Sequence, residues 1–199
     1  MLINIIHPYT YKLVGDTLNM GPVSEYTERD LGVAVVVNTA LDKGAKVLLH
    51  RYHDGDQFKA MLEQAALALD PLYGFIFDPR ITSVVTTPFG TPRPNAKPEP
   101  ISAETWRAVE KMYTSDSELE QHFIDVNPII FIGGVLERCV TNIACYAHQK
   151  YKKPGQELFY IPELCVSLDR ELLQKTTLPE FAKRDIKPLT VEQFRRRLL

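Results

Sequence analysis

The segment from Ile129 to Ile161 constrains the fold of this 199-residue chain more than any other. Ile129-Ile130-Phe131-Ile132 is a continuous apolar run of strand length, and Gly133-Gly134 interrupts it. Val140, Ile143, Ala144 and Ala147 then fall at i, i+3, i+4 and i+7, the spacing of one helix face. Lys150, Lys152 and Lys153 crowd the end of that stretch, where cations suit the helix dipole, and Pro154-Gly155 stops it. Leu158-Phe159-Tyr160-Ile161 is a second strand. Strand, helix and strand within about thirty residues make a βαβ unit. Its strands are parallel and its crossover right-handed, and the first strand, apolar on both faces, belongs inside a sheet.

Other segments alternate in the same way. Leu2 to Ile6, Lys46 to His50 and Ile81 to Thr86 read as strands, and Ser117 to Ile124 as a short helix. Phe58, Met61, Leu62, Ala65 and Leu69 follow helical spacing, which predicts a helix from Asp56 to Leu69. Glu28 to Lys43 pulls two ways. Val35-Val36-Val37 suits a strand, but Leu31, Val35 and Thr39 with Leu41 form a helical stripe and Lys43-Gly44 is a helix stop, so we read a helix. The expected fold class is α/β, a three-layer sandwich with a central, mainly parallel, Rossmann-like sheet. The length suits one domain over 1–199. Pro88 to Pro100 holds five of the fourteen prolines and predicts an irregular loop inside that domain, either a connection or a lid over a site.

Composition narrows the partners. Apolar residues at 45% and charged residues at 24% exclude disorder and coiled coil. A net charge of −2 and a pI near 6.2 supply no basic field for nucleic acid. The longest apolar stretches, Val33–Val37 and Ala65–Leu69, are too short for a bilayer, so no membrane partner is expected. The first residues lack the cationic flank of a signal peptide, which makes the cytoplasm the expected location. Cys139, Cys145 and Cys165 form no C-x-x-C pair, in keeping with a reduced compartment and against a zinc ribbon.

Open α/β sheets bind ligands beyond the carboxyl ends of their strands. Cys139 falls just past such an end, close to where a helix begins. Helix N-terminal amides favour a thiolate and can hold an oxyanion, so Cys139 is a candidate nucleophile, with a thiol pKa lowered relative to that of a buried cysteine and the fastest alkylation of the three cysteines. The other reading of Cys139 is a small core residue, and Cys145 and Cys165 are read as that outright. Nucleophile-elbow, dinucleotide, P-loop and zincin motifs are absent from the sequence.

Phe131-Ile132-Gly133, Cys139-Val140-Thr141-Asn142, Ala144, Ala147, Tyr160-Ile161-Pro162 and Cys165-Val166-Ser167-Leu168-Asp169 together resemble the nucleophile segment of the isochorismatase-like cysteine hydrolases. That superfamily includes nicotinamidases, N-carbamoylsarcosine amidase and isochorismatases. Lys46 to His50 with Tyr52-His53 is similar to its second strand and following histidine. The resemblance implies an Asp–Lys–Cys triad. It makes Cys139 the nucleophile, the backbone of Val135 and Cys139 the oxyanion donors, and the Gly134–Val135 peptide cis. Lys111 is the lysine, with Lys97 as the alternative. The aspartate position carries a departure: Ile6-His7-Pro8-Tyr9 puts His7 there. A neutral imidazole also takes a thiol proton, so His7 is the candidate base, with Asp16 as a possible substitute.

Nicotinamidases of the superfamily hold a divalent ion through Asp-x-His; this chain has Arg51-Tyr52-His53, followed by Asp54 and by Asp56, a natural N-cap. Neither a metal nor another cofactor is expected. The implied activity is that of a cysteine hydrolase cleaving a small-molecule amide or related C–N bond through a thioester, with homo-oligomers as the assembly. The alternative is a non-catalytic module of the same fold that binds a small molecule or partner, with His7 as its mark. Hydrolysis of a vinyl ether, which relies on the aspartate, ranks below both.

Overall fold

The computed structural model describes residues 1–8, 23–52, 72, 75, 78–87 and 89–198. Six strands form its sheet: β1 (Leu2–Ile6), β2 (Lys46–Tyr52), β3 (Ile81–Thr86), β4 (Ile129–Gly133), β5 (Leu158–Tyr160) and β6 (Ile186–Pro188). Their order is β3-β2-β1-β4-β5-β6, and every neighbouring pair is parallel. The βαβ unit is present as expected. β4 lies between β1 and β5, with Ile129 beside Leu158 and Leu2 beside Ile129. Parallel strands with both faces covered read as unbroken apolar runs, and all five residues of β4 are buried.

Alternation along the strands splits the interior into two cores. Ile3, Ile5, Ile130 and Ile132 face one side, where they meet α1 (Val23–Asp42) and Phe194 of α7 (Val191–Leu198). Leu2, Ile6, Ile129 and Phe131 face the other. There they meet α3 (Asp116–Glu120), α4 (Thr141–Lys150) and α6 (Leu178–Lys183) through Leu119, Ile143 and Phe181. Helix, sheet, helix is the three-layer sandwich. Two further helices, α2 (Ala103–Met112) and α5 (Arg170–Leu172), lie in the β3–β4 and β5–β6 connections. No helix among the described residues is long and apolar enough to cross a membrane.

The first long helix corrects the sequence expectation in its facing. Val33, Val36, Val37, Ala40 and Leu41 are the buried stripe. Leu31 and Val35, read from the sequence as the apolar face, are 51% and 45% exposed. This helix is apolar on two sides, so periodicity alone does not choose between them. Gly32 helps to decide, since a Cβ there would stand 2.7 Å from Leu164 Cδ2. The helix predicted over Asp56 to Leu69 lies outside the described residues.

Within Pro88–Pro100, the described part is irregular and pinned. Arg93 donates its backbone N–H to Thr114, accepts from Asp116, and donates Nε to the Tyr113 carbonyl. Asn95 Oδ1 accepts from the Ser117 amide at 2.9 Å.

The central place of β4 sets an energetic expectation. Ile130→Ala should lower the unfolding free energy by about 3 kcal/mol, from lost burial plus the cavity left behind. Arg107→Ala, on the exposed face of α2, should change it by less than about 0.5 kcal/mol. Urea titration of both variants checks this, and equal effects would contradict a buried central β4.

Candidate active site

The strand order reverses direction between β1 and β4. The chain moves from β1 outward to β2 and β3, then returns to β4 on the other side. Such a switch point leaves a crevice at the carboxyl ends of the two strands. His7 follows β1 at this end of the sheet, and Gly133-Gly134 closes the neighbouring β4.

Gly134 permits the closest approach in the crevice. A Cβ there would lie 2.5 Å from the Ile6 carbonyl oxygen and 2.7 Å from Cys139 Sγ. Sulfur and carbonyl therefore face each other across a glycine. Gly133, at φ +108, makes the preceding bend in a conformation that side chains resist. The chain then winds through a π-turn, Leu136–Val140, in which Arg138 is non-helical at φ −128° and ψ −107°. Val135 O accepts from the amides of Arg138 and Val140, and from Cys139 Sγ at 3.8 Å. Gly90 of the proline loop lies on the same turn, since its Cβ would stand 2.7 Å from the Cys139 carbonyl oxygen.

Two buried ionic side chains brace this region. Arg29 of α1 donates to the Gly133 carbonyl and, at 3.1 Å, to the Pro8 carbonyl, and its Nε lies 2.7 Å from Asp30. One guanidinium thus ties the ends of β1 and β4 together. Glu137 Oε1 accepts from Ser167 Oγ at 3.2 Å and from the amides of Leu168 and Asp169 at 2.5 Å each. Beside it, Leu136 N donates to Val166 O and Val166 N to Gly134 O, a parallel bridge that extends the chain through Val135.

That bridge bears on the implied cis bond. The Gly134–Val135 peptide is trans, and the cis peptides among the described residues are Glu99–Pro100 and Asn127–Pro128. Val135 is extended, at φ −74° and ψ 117°, as pairing with Val166 requires. The backbone amides lower the Cys139 thiol as expected, yet its net shift is upward. Burial pushes Cys139 up to about 11, outweighing backbone hydrogen bonding at Val135, Val140 and Cys139 itself, and the Glu137 charge adds to the rise. Burial likewise pushes Cys165 up to about 12. Cys145, within α4, is partly exposed, and its thiol is raised by the same cause.

His7 is buried, and burial drops its pKa to about 3. Its ring Nε2 and Thr86 Oγ1 share a hydrogen bond of 2.9 Å, and its amide donates to His50 O. His50 is depressed further by burial, then by the nearby His7 and His122, and it bonds through Nε2 to Asn4 Oδ1 at 3.2 Å. Lys111 stands apart, exposed in the last turn of α2. Lys97 directs its ammonium to Glu99 at 2.6 Å and to the Ile101 carbonyl at 2.7 Å. Val135 and Cys139 thus share the turn that leaves β4, His7 follows the end of the neighbouring β1 with its ring on Thr86, and Lys111 is exposed on α2. Asp16, His53, Asp54 and Asp56 lie outside the described residues. Among the described residues, no three His, Cys, Asp or Glu side chains gather to hold a metal.

Sequence reasoning missed Arg29, Thr86, Gly90 and Glu137. Glu137 gave one signal, its place two residues before the candidate nucleophile. Arg29 gave another, a charged pair entering a valine-rich helix.

The buried imidazole has a measurable consequence. The unfolded chain takes up a proton at His7 near pH 6.5, whereas the folded chain holds this ring neutral down to about 3. Its contribution is complete above pH 6.5 and is lost as the pH falls toward 3, at about 1.4 kcal/mol per pH unit. Denaturant titrations from pH 7 to 4 should show a shallower slope for His7→Gln, by about one proton. An unchanged slope would contradict a buried neutral His7.

No protein-family model and no curated protein sequence matches this chain. Solved structures do. The pyrazinamidase/nicotinamidase of Streptococcus mutans UA159 aligns at a TM-score of 0.54 and 15% identity, covering 95% of this chain and 100% of that one. YcaC from Pseudomonas aeruginosa, with hexane-2,5-diol and covalent acrylamide, aligns at 0.51 and 12%, covering 97% and 76%. A putative isochorismatase hydrolase from Oleispira antarctica aligns at 0.50 and 10%, covering 96% and 94%. Across so wide a sequence distance the backbone course is what is shared, and the chain has the isochorismatase-like hydrolase fold.

Proposed function

We propose that this chain is a cysteine hydrolase acting on a small-molecule amide or related C–N bond, with Cys139 as nucleophile. The observation that carries the reading is the seat of Cys139 Sγ at the switch-point crevice, against Gly134 and the Ile6 carbonyl. In this reading His7 takes the thiol proton and Sγ adds to the carbonyl carbon. Backbone groups of Val135 and Cys139 hold the oxyanion. The C–N bond breaks as the leaving amine takes the proton back, and water then hydrolyses the thioester. The lysine role belongs to Lys111 or to Lys97, both on the β3–β4 connection. Lys97 shares its loop with Gly90, which lies on Cys139. A cytoplasmic location and homo-oligomeric assembly belong to the same reading.

The resting pair is uncharged. With the thiol near 11 and the imidazole near 3, both groups rest uncharged and proton transfer between them is strongly uphill. Ionisation must therefore be coupled to substrate binding. The same neutral pair, with histidine where the family pattern has aspartate, favours the second reading, a non-catalytic module that binds a small molecule.

Ammonia release from a panel of small amides, nicotinamide among them, separates the two. Between pH 7 and 10 the rate should stay nearly flat, because the neutral thiol–imidazole pair that reacts is the resting form from about 3 to about 11. Cys139→Ala should lower it by at least about a thousandfold. A rate retained in Cys139→Ala would overturn the hydrolase reading. Saturable amide binding without turnover would establish the module.

A further inference from the structure

Glu137 is the buried acid of the nucleophile turn, and only half of its carboxylate is used. Its side chain is held within the fold, with the residue 6% exposed. Oε1 takes all three donors of the facing segment: Ser167 Oγ and the amides of Leu168 and Asp169. Oε2 is buried and meets no hydrogen-bond donor among the described residues. No lysine, arginine or histidine pairs with it among the described residues. An acceptor oxygen shut from water without a donor costs on the order of 1–3 kcal/mol, and more for a charged group. A fold that only needed to pin the 167–169 segment achieves that with Oε1 alone.

The placement suggests what completes it. Glu137 precedes Cys139 by two residues in one π-turn. The segment over it lies at the surface: Ser167, Leu168 and Asp169 are exposed, and so is Arg138. The carboxylate thus lies one layer beneath the surface, next to the candidate nucleophile. We propose that Oε2 of Glu137 receives a cationic N–H donor group of the small molecule handled at Cys139, an amidinium, guanidinium or protonated amine. This rests on the hydrolase or binding reading only in taking the ligand to the Cys139 crevice. Such a ligand supplies the missing donor and the missing counter-charge together. It also offsets the negative charge that helps to hold the thiol protonated, which couples binding to ionisation of Cys139.

Acetamidinium and acetamide test this directly, being nearly isosteric and differing in charge. Each is titrated into the full chain while the backbone amide NMR signals of Leu168 and Asp169 are followed. Acetamidinium should shift them saturably, with an affinity at least about tenfold above that of acetamide. Glu137→Gln keeps an oxygen for the two amides and removes the charge, so it should bring the two affinities within about twofold. Equal affinities in the unaltered protein, or a preference that survives in Glu137→Gln, would overturn the proposal. Should Glu137→Gln fail to fold, the comparison in the unaltered protein decides alone. Turnover plays no part in this measurement, so its failure and a failure of the hydrolase reading are separately visible.

Discussion

A missing side chain at Gly134 is the constraint on which the candidate site depends. The space its Cβ would occupy is already claimed by the Ile6 carbonyl at 2.5 Å and Cys139 Sγ at 2.7 Å. Any larger residue must push one of them away. With glycine there, the end of β4 packs on the end of β1, and the turn carrying Cys139 folds back over both. β4 can deliver its chain to this point because it is buried between β1 and β5. The long apolar run of the sequence and the close approach at the site are two ends of one strand.

Buried polar groups convert that approach into a fixed geometry. Arg29 reaches carbonyls at both strand ends, and Glu137 joins the turn that carries Cys139 to the segment after β5. Both sit where an unpaired charge would be costly, so their partners are held tightly. Burial also keeps the two imidazoles and the thiol uncharged. His7 and His50 are neutral, and the Cys139 thiol keeps its proton. In such a setting the charge a ligand brings carries unusual weight, because little solvent is present to screen it.

Much of the fold was legible in the sequence. The stripe Val140, Ile143, Ala144 and Ala147 is buried as the spacing implies, and β4 is interior because both of its faces are apolar. Local rules suffice where one face of an element is clearly apolar. They failed on α1, whose valines and leucine leave two candidate faces, and the packing of Gly32 against Leu164 is not a local property. The site was legible in part. Its glycines and cysteine are contiguous and therefore visible. Thr86 was invisible as the partner of His7 because 79 positions separate them, and Glu137 finds its donors some thirty positions later. The net shift of the thiol was not legible for the same reason. Helix-end amides can be read from a motif, whereas burial belongs to the assembled fold, and burial dominates here.

The central claim is that the Cys139 sulfur, buried at rest, is the nucleophile of this fold. Acyl transfer from p-nitrophenyl acetate, a small activated ester, tests it without knowledge of the natural substrate. After rapid acid quench, intact mass and peptide mapping locate the acetyl group. The account predicts one acetyl per chain, on Cys139, formed with a stoichiometric burst of nitrophenol and absent from Cys139→Ala. Acetylation confined to Cys145, Cys165 or surface lysines would contradict it.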